Sequence, residues 1–149
     1  MRDLIIPNET REVLDDGAAL AVSISGGKDS QSMLAALAAE HRLQKWSGDL
    51  FAIHADLGRA EWPQSLGHCQ KQCDQLGIEL TVVRRQQGDM VDRWQQEMRS
   101  MKAKGDTSSF WSNSQNRYCT SELKRDRIDK YLHRYSHVIC AVGIRAEDA

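Results

Sequence analysis

The sequence lacks the features that mark membrane proteins, secreted proteins and disulfide frameworks. No apolar run approaches the roughly 20 residues that a membrane helix needs. The apolar stretch before Pro7 is too short for a signal peptide. Its four cysteines form no CxxC pair, and their spacings match neither a disulfide framework nor a common iron–sulfur pattern. We therefore expect a cytoplasmic protein without a membrane segment.

Repeats, low-complexity tracts and proline-rich linkers are also missing. A chain of 149 residues without such breaks suits one domain with a real hydrophobic core. The formal net charge of −1 gives no general attraction for nucleic acids or membrane surfaces. We expect a single domain over 1–149, and truncation at its C-terminus is an alternative that the sequence leaves open.

Short apolar runs alternate with segments of helical periodicity along the chain. Four runs have the composition of buried strands, at 18–24, 49–55, 78–83 and 138–142. Apolar residues at spacings of three and four predict helices between them, and a short helix capped by Asn8 is predicted before the first strand. The helical stripes begin at Met33, Leu66, Met90 and Leu123. This alternation predicts an α/β domain with parallel strands and crossover helices.

The first predicted strand runs directly into residues 25–30, with the sequence SGGKDS, and then into a helix. Two glycines allow a tight turn and a close approach to a ligand, and successive N–H groups before a helix N-terminus favour an anion. Ser25 and Ser30 add hydroxyl donors, and Lys28 adds a positive charge. The sequence fits neither a Walker A loop nor a GxGxxG loop. An ordinary turn in which Asp29 caps the helix is the alternative.

Residues 25–30 resemble the SGGxDS motif of PP-loop proteins, the adenine-nucleotide α-hydrolase-like group. Three later stretches are similar to its phosphoadenosine phosphosulfate (PAPS) reductase-like branch: HADLG at 54–58, RYCTSELK at 117–124 and GIRAE at 143–147. The resemblance implies a Rossmann-like parallel sheet of five strands in the order 3-2-1-4-5, with helices on both faces. It also implies a nucleotide at the carboxyl ends of the strands, as in other open α/β sheets.

The resemblance further implies roles for individual residues. Asp29 would cap the helix or help to hold Mg²⁺. Asp56, at the end of the second strand, would bind Mg²⁺ or a ribose hydroxyl, or is a simple turn residue. Arg117 and Lys124 would converge on the phosphate or sulfate end, unless their stretch is a solvated basic face, and Arg145 would contact phosphate. The residues implied to hold phosphate oxygens are Ser25, Gly26, Gly27, Lys28 and Ser30, and the candidate catalytic residues are Lys28, Asp29, Arg117 and Lys124.

Cys119 is the cysteine most suited to chemistry, because it lies inside a motif. In related reductases a cysteine pair near this point helps to hold an iron–sulfur cluster, but here Tyr118 precedes Cys119 and the pair is missing. Such a cluster is therefore not expected in this chain. Cys69, Cys73 and Cys140 lie in apolar patterns and are predicted to be core residues.

Two further predictions concern aromatic side chains. His54 ends a strand and is predicted to pack or to form hydrogen bonds, rather than to act as a base. Phe110 and Trp111, in the polar stretch 102–117, would either stack on a base or substrate or lie at the surface.

The resemblance implies ATP pyrophosphatase-type activation, which yields AMP and pyrophosphate and uses Mg²⁺, in sulfur metabolism or sulfur transfer. SGGKDS is the form found in enzymes that grip pyrophosphate, and the catalytic cysteine that PAPS reductases carry near a C-terminal tail is absent from the 149 residues. A PAPS reductase proper and a non-catalytic nucleotide-sensing module are the alternatives. The sequence does not identify the acceptor, which is either a small molecule or a macromolecule. It also leaves open whether the enzyme class is transferase or oxidoreductase, and whether the chain forms a homodimer or binds a partner subunit.

Overall fold

The computed structural model describes residues 4–111, 117–118 and 121–144, with only the backbone of Ser121. In chain order the elements are α1 (Asn8–Asp15), β1 (Ala19–Ser23), α2 (Lys28–Gln44), β2 (Leu50–Asp56), a 3₁₀ turn (Gly58–Ala60), α3 (Ser65–Leu76), β3 (Glu79–Arg84), α4 (Met90–Ala103), a π-helical turn (Ser121–Arg125), α5 (Asp126–Leu132) and β4 (Val138–Ala141). The four predicted strands are confirmed. The first three predicted helical stripes lie on helices, whereas the fourth, from Leu123 to Tyr135, extends past the end of α5.

The strands form one parallel sheet in the order β3-β2-β1-β4. Val22 of the central strand β1 is in register with Ala52 of β2 and with Ala141 of β4. The predicted α/β class is confirmed, but the prediction of five strands is wrong, since the described part of the chain forms four.

Both faces of the sheet are covered by helices, as predicted. Successive side chains of a strand point to opposite faces, so each strand packs on both sides. Leu20 and Val22 of β1 pack with Leu34 of α2 on one face, where α1 and α3 also contribute to the core. Ala19 and Ala21 pack on the other face against α5. Parallel strands buried on both faces explain why β1 is an uninterrupted apolar run in the sequence.

The predicted first helix is present, but its predicted cap is wrong. Pro7 occupies the N-cap position of α1, no side chain caps the helix, and Asn8 is already its first helical residue. Proline is tolerated at this start because an N–H group there would have no acceptor within the helix, so its absence costs little.

Cys69 and Cys73 are confirmed as core residues, since both are fully buried in α3. Burial raises the pKa of each thiol to about 11, so both are protonated at neutral pH. Cys140 in β4 is partly buried against the core on the α5 face. Among the helices of the described residues, none combines the length and the apolar character that a bilayer crossing requires.

Candidate active site

The 25–30 loop lies at the carboxyl edge of the sheet, between β1 and α2. Gly26 has a φ of +82°, a left-handed conformation that glycine adopts without steric cost. A Cβ at Gly26 would lie 3.0 Å from the carbonyl oxygen of Ser65, so α3 also packs closely against the loop. The glycine is therefore required both by the turn and by the close approach of α3.

The loop leads into the N-terminus of α2 without a side-chain cap. Gly27 is the N-cap residue, and no side chain caps the helix. The prediction that Asp29 caps α2 is therefore wrong, because Asp29 is already inside the first helical turn. The first N–H groups of a helix have no acceptor within it, and together with the helix dipole they favour a bound anion. Lys28, at the first helical position, is exposed on the same edge.

Ser30 holds the loop together from inside. Its side chain is buried, its Oγ donates to the carbonyl oxygen of Gly27 at 3.0 Å, and it accepts the N–H of Ser25 at 3.2 Å. The Ser30 hydroxyl hydrogen is thus used within the loop. Ser30 fixes the shape of the turn, and its predicted contact with a phosphate oxygen stays a prediction.

His54 connects the end of β1 to the segment that follows β2. Its imidazole is buried, and Nδ1 lies 2.9 Å from the carbonyl oxygen of Ile24, the residue before the loop. Its Nε2 lies 3.4 Å from Oε2 of Glu61 without forming a hydrogen bond, and Glu61 accepts the N–H of Leu57 at 3.3 Å. The prediction that His54 packs and forms hydrogen bonds is confirmed.

Asp56 ends β2 with both carboxylate oxygens engaged. Oδ1 accepts the N–H of Gly58 at 2.8 Å, and Oδ2 accepts Nε of Arg84 at 2.7 Å. Burial raises the pKa of Asp56, but the hydrogen bonds from Gly58 and Arg84 outweigh it and leave the pKa below its ordinary value. Asp56 is therefore an ionised turn residue at the edge where a nucleotide would bind, and its contact with Mg²⁺ or ribose stays a prediction.

A salt-bridge cluster attaches the turn after β2 to α4. Arg59 donates Nε to Oδ2 of Asp89 at 2.7 Å and a second N–H to Oδ1 at 3.0 Å. It also reaches Oδ1 of Asp92 at 2.8 Å. Asp89 and Asp92 form a capping box at the start of α4. This turn is thus held from two sides, by Asp56 and by the α4 cap.

A cleft of about 420 Å³ opens between the 25–30 loop and the start of α3. Its size lies within the range of about 300–1,000 Å³ that is usual for small-molecule sites. The sequence prediction missed one entire wall of it. The wall consists of Trp62, Gln64, Ser65 and His68, and the loop contributes Ser25, Gly26 and Gly27. The aromatic residue Trp62 in the segment after β2 was the available signal, but the sequence does not show that α3 turns this segment towards the loop.

The fold and the cleft agree with a comparison against protein families, in which the model of the PP-loop domain matches residues 5–146. The chain belongs to the PP-loop domain family. PP-loop domains bind ATP, typically with Mg²⁺, and are commonly ATP pyrophosphatase-type enzymes. No curated protein matches the chain.

The donor set of this PP-loop domain suits Mg²⁺ that arrives with ATP. Among the described residues, no group of three or more His, Cys, Asp or Glu side chains could hold a metal ion by itself. Mg²⁺ commonly keeps its waters and binds through one or two carboxylates plus substrate phosphates. Asp29 and Asp56, both at the carboxyl edge, are the predicted carboxylates, so the residues fit a phosphate-bound ion better than a protein cage.

The basic stretch of the PP-loop domain lies beyond α4. Tyr118 is buried, and its hydroxyl donates to the carbonyl oxygen of Phe110 at 2.5 Å. Arg117 is exposed beside it, and Lys124 is exposed on the π-helical turn, which packs near β2. Neither lines the 420 Å³ cleft, so their convergence on a phosphate stays a prediction.

Two predicted site residues, Cys119 and Arg145, lie outside the described residues. The aromatic pair that follows α4 is described. Trp111 packs edge-on against Trp94, with ring centroids 4.8 Å apart. Trp111 is still 51% exposed, so the alternative of a surface position fits it.

Proposed function

We propose that this PP-loop domain catalyses ATP pyrophosphatase-type activation of an acceptor in sulfur metabolism or sulfur transfer. The observation that carries the proposal is the braced 25–30 loop, whose positive-φ glycine and uncapped helix start lie at the carboxyl edge of the sheet, an arrangement in which successive N–H groups form a cradle for an anion. Such a cradle suits the pyrophosphate portion of ATP.

The proposed reaction is a displacement at the α-phosphorus of ATP. An acceptor oxygen forms the new bond to the α-phosphorus, and the bond to the bridging oxygen of the β-phosphate breaks, so pyrophosphate leaves with that electron pair. Hydrolysis or a second acceptor then releases AMP. The chain contributes by positioning the reactants and by neutralising charge on the leaving group.

In this proposal the loop N–H groups and Lys28 hold the β- and γ-phosphates. Arg117 and Lys124 add positive charge at the phosphate end, and Arg145 contacts phosphate. Asp29 and Asp56 are the carboxylates that would contact the Mg²⁺ that accompanies ATP, and this ion would supply further charge neutralisation.

A PAPS reductase-like activity is the second candidate, because the stretches 54–58, 117–124 and 143–147 are similar to that branch. The two functions differ in the ligand that the loop prefers. A reductase would bind the preformed sulfonucleotide, whereas a pyrophosphatase would require the triphosphate.

Calorimetry with Mg-ATP and with PAPS, side by side on the same preparation, tests the proposal. The variant Ser25→Ala with Asp29→Ala is expected to lose ATP binding at least tenfold. A variant with Asp74→Ala and Ser100→Ala, two exposed positions away from the cleft, is the matched control and is expected to bind ATP as the wild type does.

Pyrophosphate release in the presence of candidate acceptors then tests turnover. Preference for PAPS over ATP would support the reductase candidate instead. ATP binding without pyrophosphate release, whichever acceptor is supplied, would support a nucleotide-sensing module. Binding of neither ligand would contradict the proposed function altogether.

A further inference from the structure

Trp62 stands at the mouth of the cleft with its indole uncovered. The residue is 81% exposed, which is unusual for so large an apolar side chain. In the described part of the chain no aromatic ring stacks on it. The indole therefore presents a flat apolar surface on which no aromatic ring of the described residues stacks.

The backbone that carries Trp62 is held firmly, in contrast to the indole. The carbonyl oxygen of Trp62 accepts the N–H of Ser65 at 2.9 Å, and Pro63 restricts the preceding backbone to extended conformations. On the other side, the N–H of Glu61 donates to the carbonyl oxygen of Gly58 at 3.0 Å. The backbone around Trp62 is thus hydrogen-bonded, while its indole is exposed.

The same segment is linked to the base of the 25–30 loop through one buried side chain. Glu61 lies 3.4 Å from Nε2 of His54, and Nδ1 of His54 lies 2.9 Å from the carbonyl oxygen of Ile24. The neighbour of Trp62 therefore lies close to His54 without a hydrogen bond to it, and His54 is hydrogen-bonded to the residue that precedes the loop. The indole and the loop line the same cleft from two sides.

The two walls differ in chemistry. The loop wall offers N–H donors from Gly26 and Gly27 and the nearby charge of Lys28, which suit phosphate oxygens. The opposite wall offers the face of an indole, which suits a planar aromatic group. A molecule with phosphates at one end and a flat base at the other matches both walls, and the cleft volume of about 420 Å³ can accommodate a large part of it.

We propose that the indole of Trp62 stacks on the purine base of the nucleotide whose phosphates the 25–30 loop binds. The inference rests on the proposed binding of ATP, and it assigns the base to the wall formed by the start of α3. Trp111 is the competing aromatic residue, but it packs against Trp94 and does not line the cleft.

The test compares a ligand that has a base with one that lacks it. Affinities for Mg-ATP and for magnesium tripolyphosphate are measured by calorimetry on the full chain and on Trp62→Ala. Base–aromatic stacking of the usual strength predicts an ATP affinity lower by roughly 5- to 100-fold in Trp62→Ala. The affinity for tripolyphosphate, which has no base to stack, is expected to stay within about twofold.

Three further variants complete the experiment. Trp62→Phe keeps an aromatic face and is expected to recover most of the ATP affinity, whereas Trp111→Ala and the exposed Leu43→Ala are expected to bind ATP normally. Thermal melting shows that each variant is folded.

The outcomes separate this inference from the proposed function. Equal ATP affinities for Trp62→Ala and wild type would overturn the stacking role while ATP binding itself stands. Equal loss of ATP and tripolyphosphate would indicate a structural role for Trp62 and overturn it as well. A loss of ATP affinity in Trp111→Ala alone would assign the base to the other ring. Failure of the wild type to bind either ligand would overturn both proposals.

Discussion

Nδ1 of His54 donates a hydrogen bond to the carbonyl oxygen of Ile24 across the end of the sheet, at 2.9 Å. A carbonyl oxygen only accepts, so the proton of this bond belongs to Nδ1. Ile24 also donates its N–H to the carbonyl oxygen of Ile53 at 2.9 Å. Both backbone groups of the residue before the loop are thereby fixed, and one of them depends on a buried histidine side chain.

Replacing this histidine tests its role as a brace. His54→Ala would leave the Ile24 carbonyl buried without its partner and open a cavity, so we expect a loss of about 2–4 kcal/mol in the free energy of unfolding. We also expect a weaker affinity for Mg-ATP, because the loop loses a fixed point. Urea unfolding and calorimetry measure the two effects.

The control for this variant is His54→Asn, whose side-chain amide can donate from nearly the same position as Nδ1. It should be more stable than His54→Ala and bind ATP more tightly. A difference of less than about 0.5 kcal/mol between the unfolding free energies of His54→Ala and wild type, which is the usual size for a surface substitution, would show that the bond does not stabilise the fold.

The two loop glycines should respond differently to alanine. Gly26→Ala forces a side chain into a φ of +82° and against the Ser65 carbonyl oxygen, which we expect to cost about 1–3 kcal/mol of stability. Gly27 has a φ of −82° and its Cβ would meet only Ser25 Oγ at 3.6 Å, so Gly27→Ala should fold normally. Chemical denaturation compares them.

Ligand binding adds a second measure to this pair of variants. Loss of ATP affinity in a stably folded Gly27→Ala would show that a phosphate approaches the backbone at this residue. Equal destabilisation by the two substitutions would contradict the conformational argument, because only one of the positions has a positive φ.

Substitutions of Asp56 and of its partner Arg84 test whether Asp56 has a structural role or a ligand-binding role. Asp56→Asn keeps an oxygen for the Gly58 N–H but loses the charge, and its partner Arg84 is mostly exposed, so we expect a stability change below about 1 kcal/mol. If Asp56 serves Mg²⁺ or ribose, the affinity for Mg-ATP should fall about tenfold or more. Calorimetry at several Mg²⁺ concentrations measures this.

Arg84→Ala is the matched control, because it breaks the same salt bridge and leaves the carboxylate in place. It should bind Mg-ATP at least as well as wild type. If both variants bind ATP normally, Asp56 is a turn residue alone, which is the alternative that its two hydrogen bonds already suggest.

Asp89 should make the stability of the fold depend on pH below about 4. Its side-chain hydrogen bond from Arg59 lowers the pKa of the Asp89 carboxyl well below its usual range, against the opposing effect of burial. A carboxyl with a depressed folded pKa stabilises the fold above its unfolded pKa, and this stabilisation is lost as the pH falls towards the folded value. We therefore expect unfolding free energies of the wild type to decrease as the pH falls from about 4 to 2.

Substitutions of Asp89 separate the effect of its charge from the effect of its capping of α4. Asp89→Asn should flatten part of that decrease while it still accepts the Asp92 N–H, and Asp89→Ala should cost about 0.5–2 kcal/mol at pH 7 through loss of the α4 cap. Asp74→Asn, on the exposed surface of α3, is the control. An unchanged pH profile for Asp89→Asn would assign the decrease to other carboxyl groups.

Much of the fold follows from local pattern. The strand that contains Val22 is apolar throughout because both of its faces are buried, and the Ser-Gly-Gly that follows marks the turn by backbone freedom alone. The alternation of strands and helices then determines a parallel α/β sheet. Even so, the local pattern does not locate a helix start to a single residue, and Asp29 proved to lie within the first turn of α2.

The sequence by itself determined the class of the fold, the loop and the edge of the sheet where a nucleotide binds in PP-loop domains, because these depend on residues adjacent in the chain. Only the tertiary structure decided which side chains face that loop. Trp62 and His54 stand 37 and 29 positions after Ser25 in the sequence, and their place in the site depends on how β2 and α3 pack beside β1. Such contacts between segments distant in the chain arise from the packing of the whole sheet, which no local spacing of residues encodes.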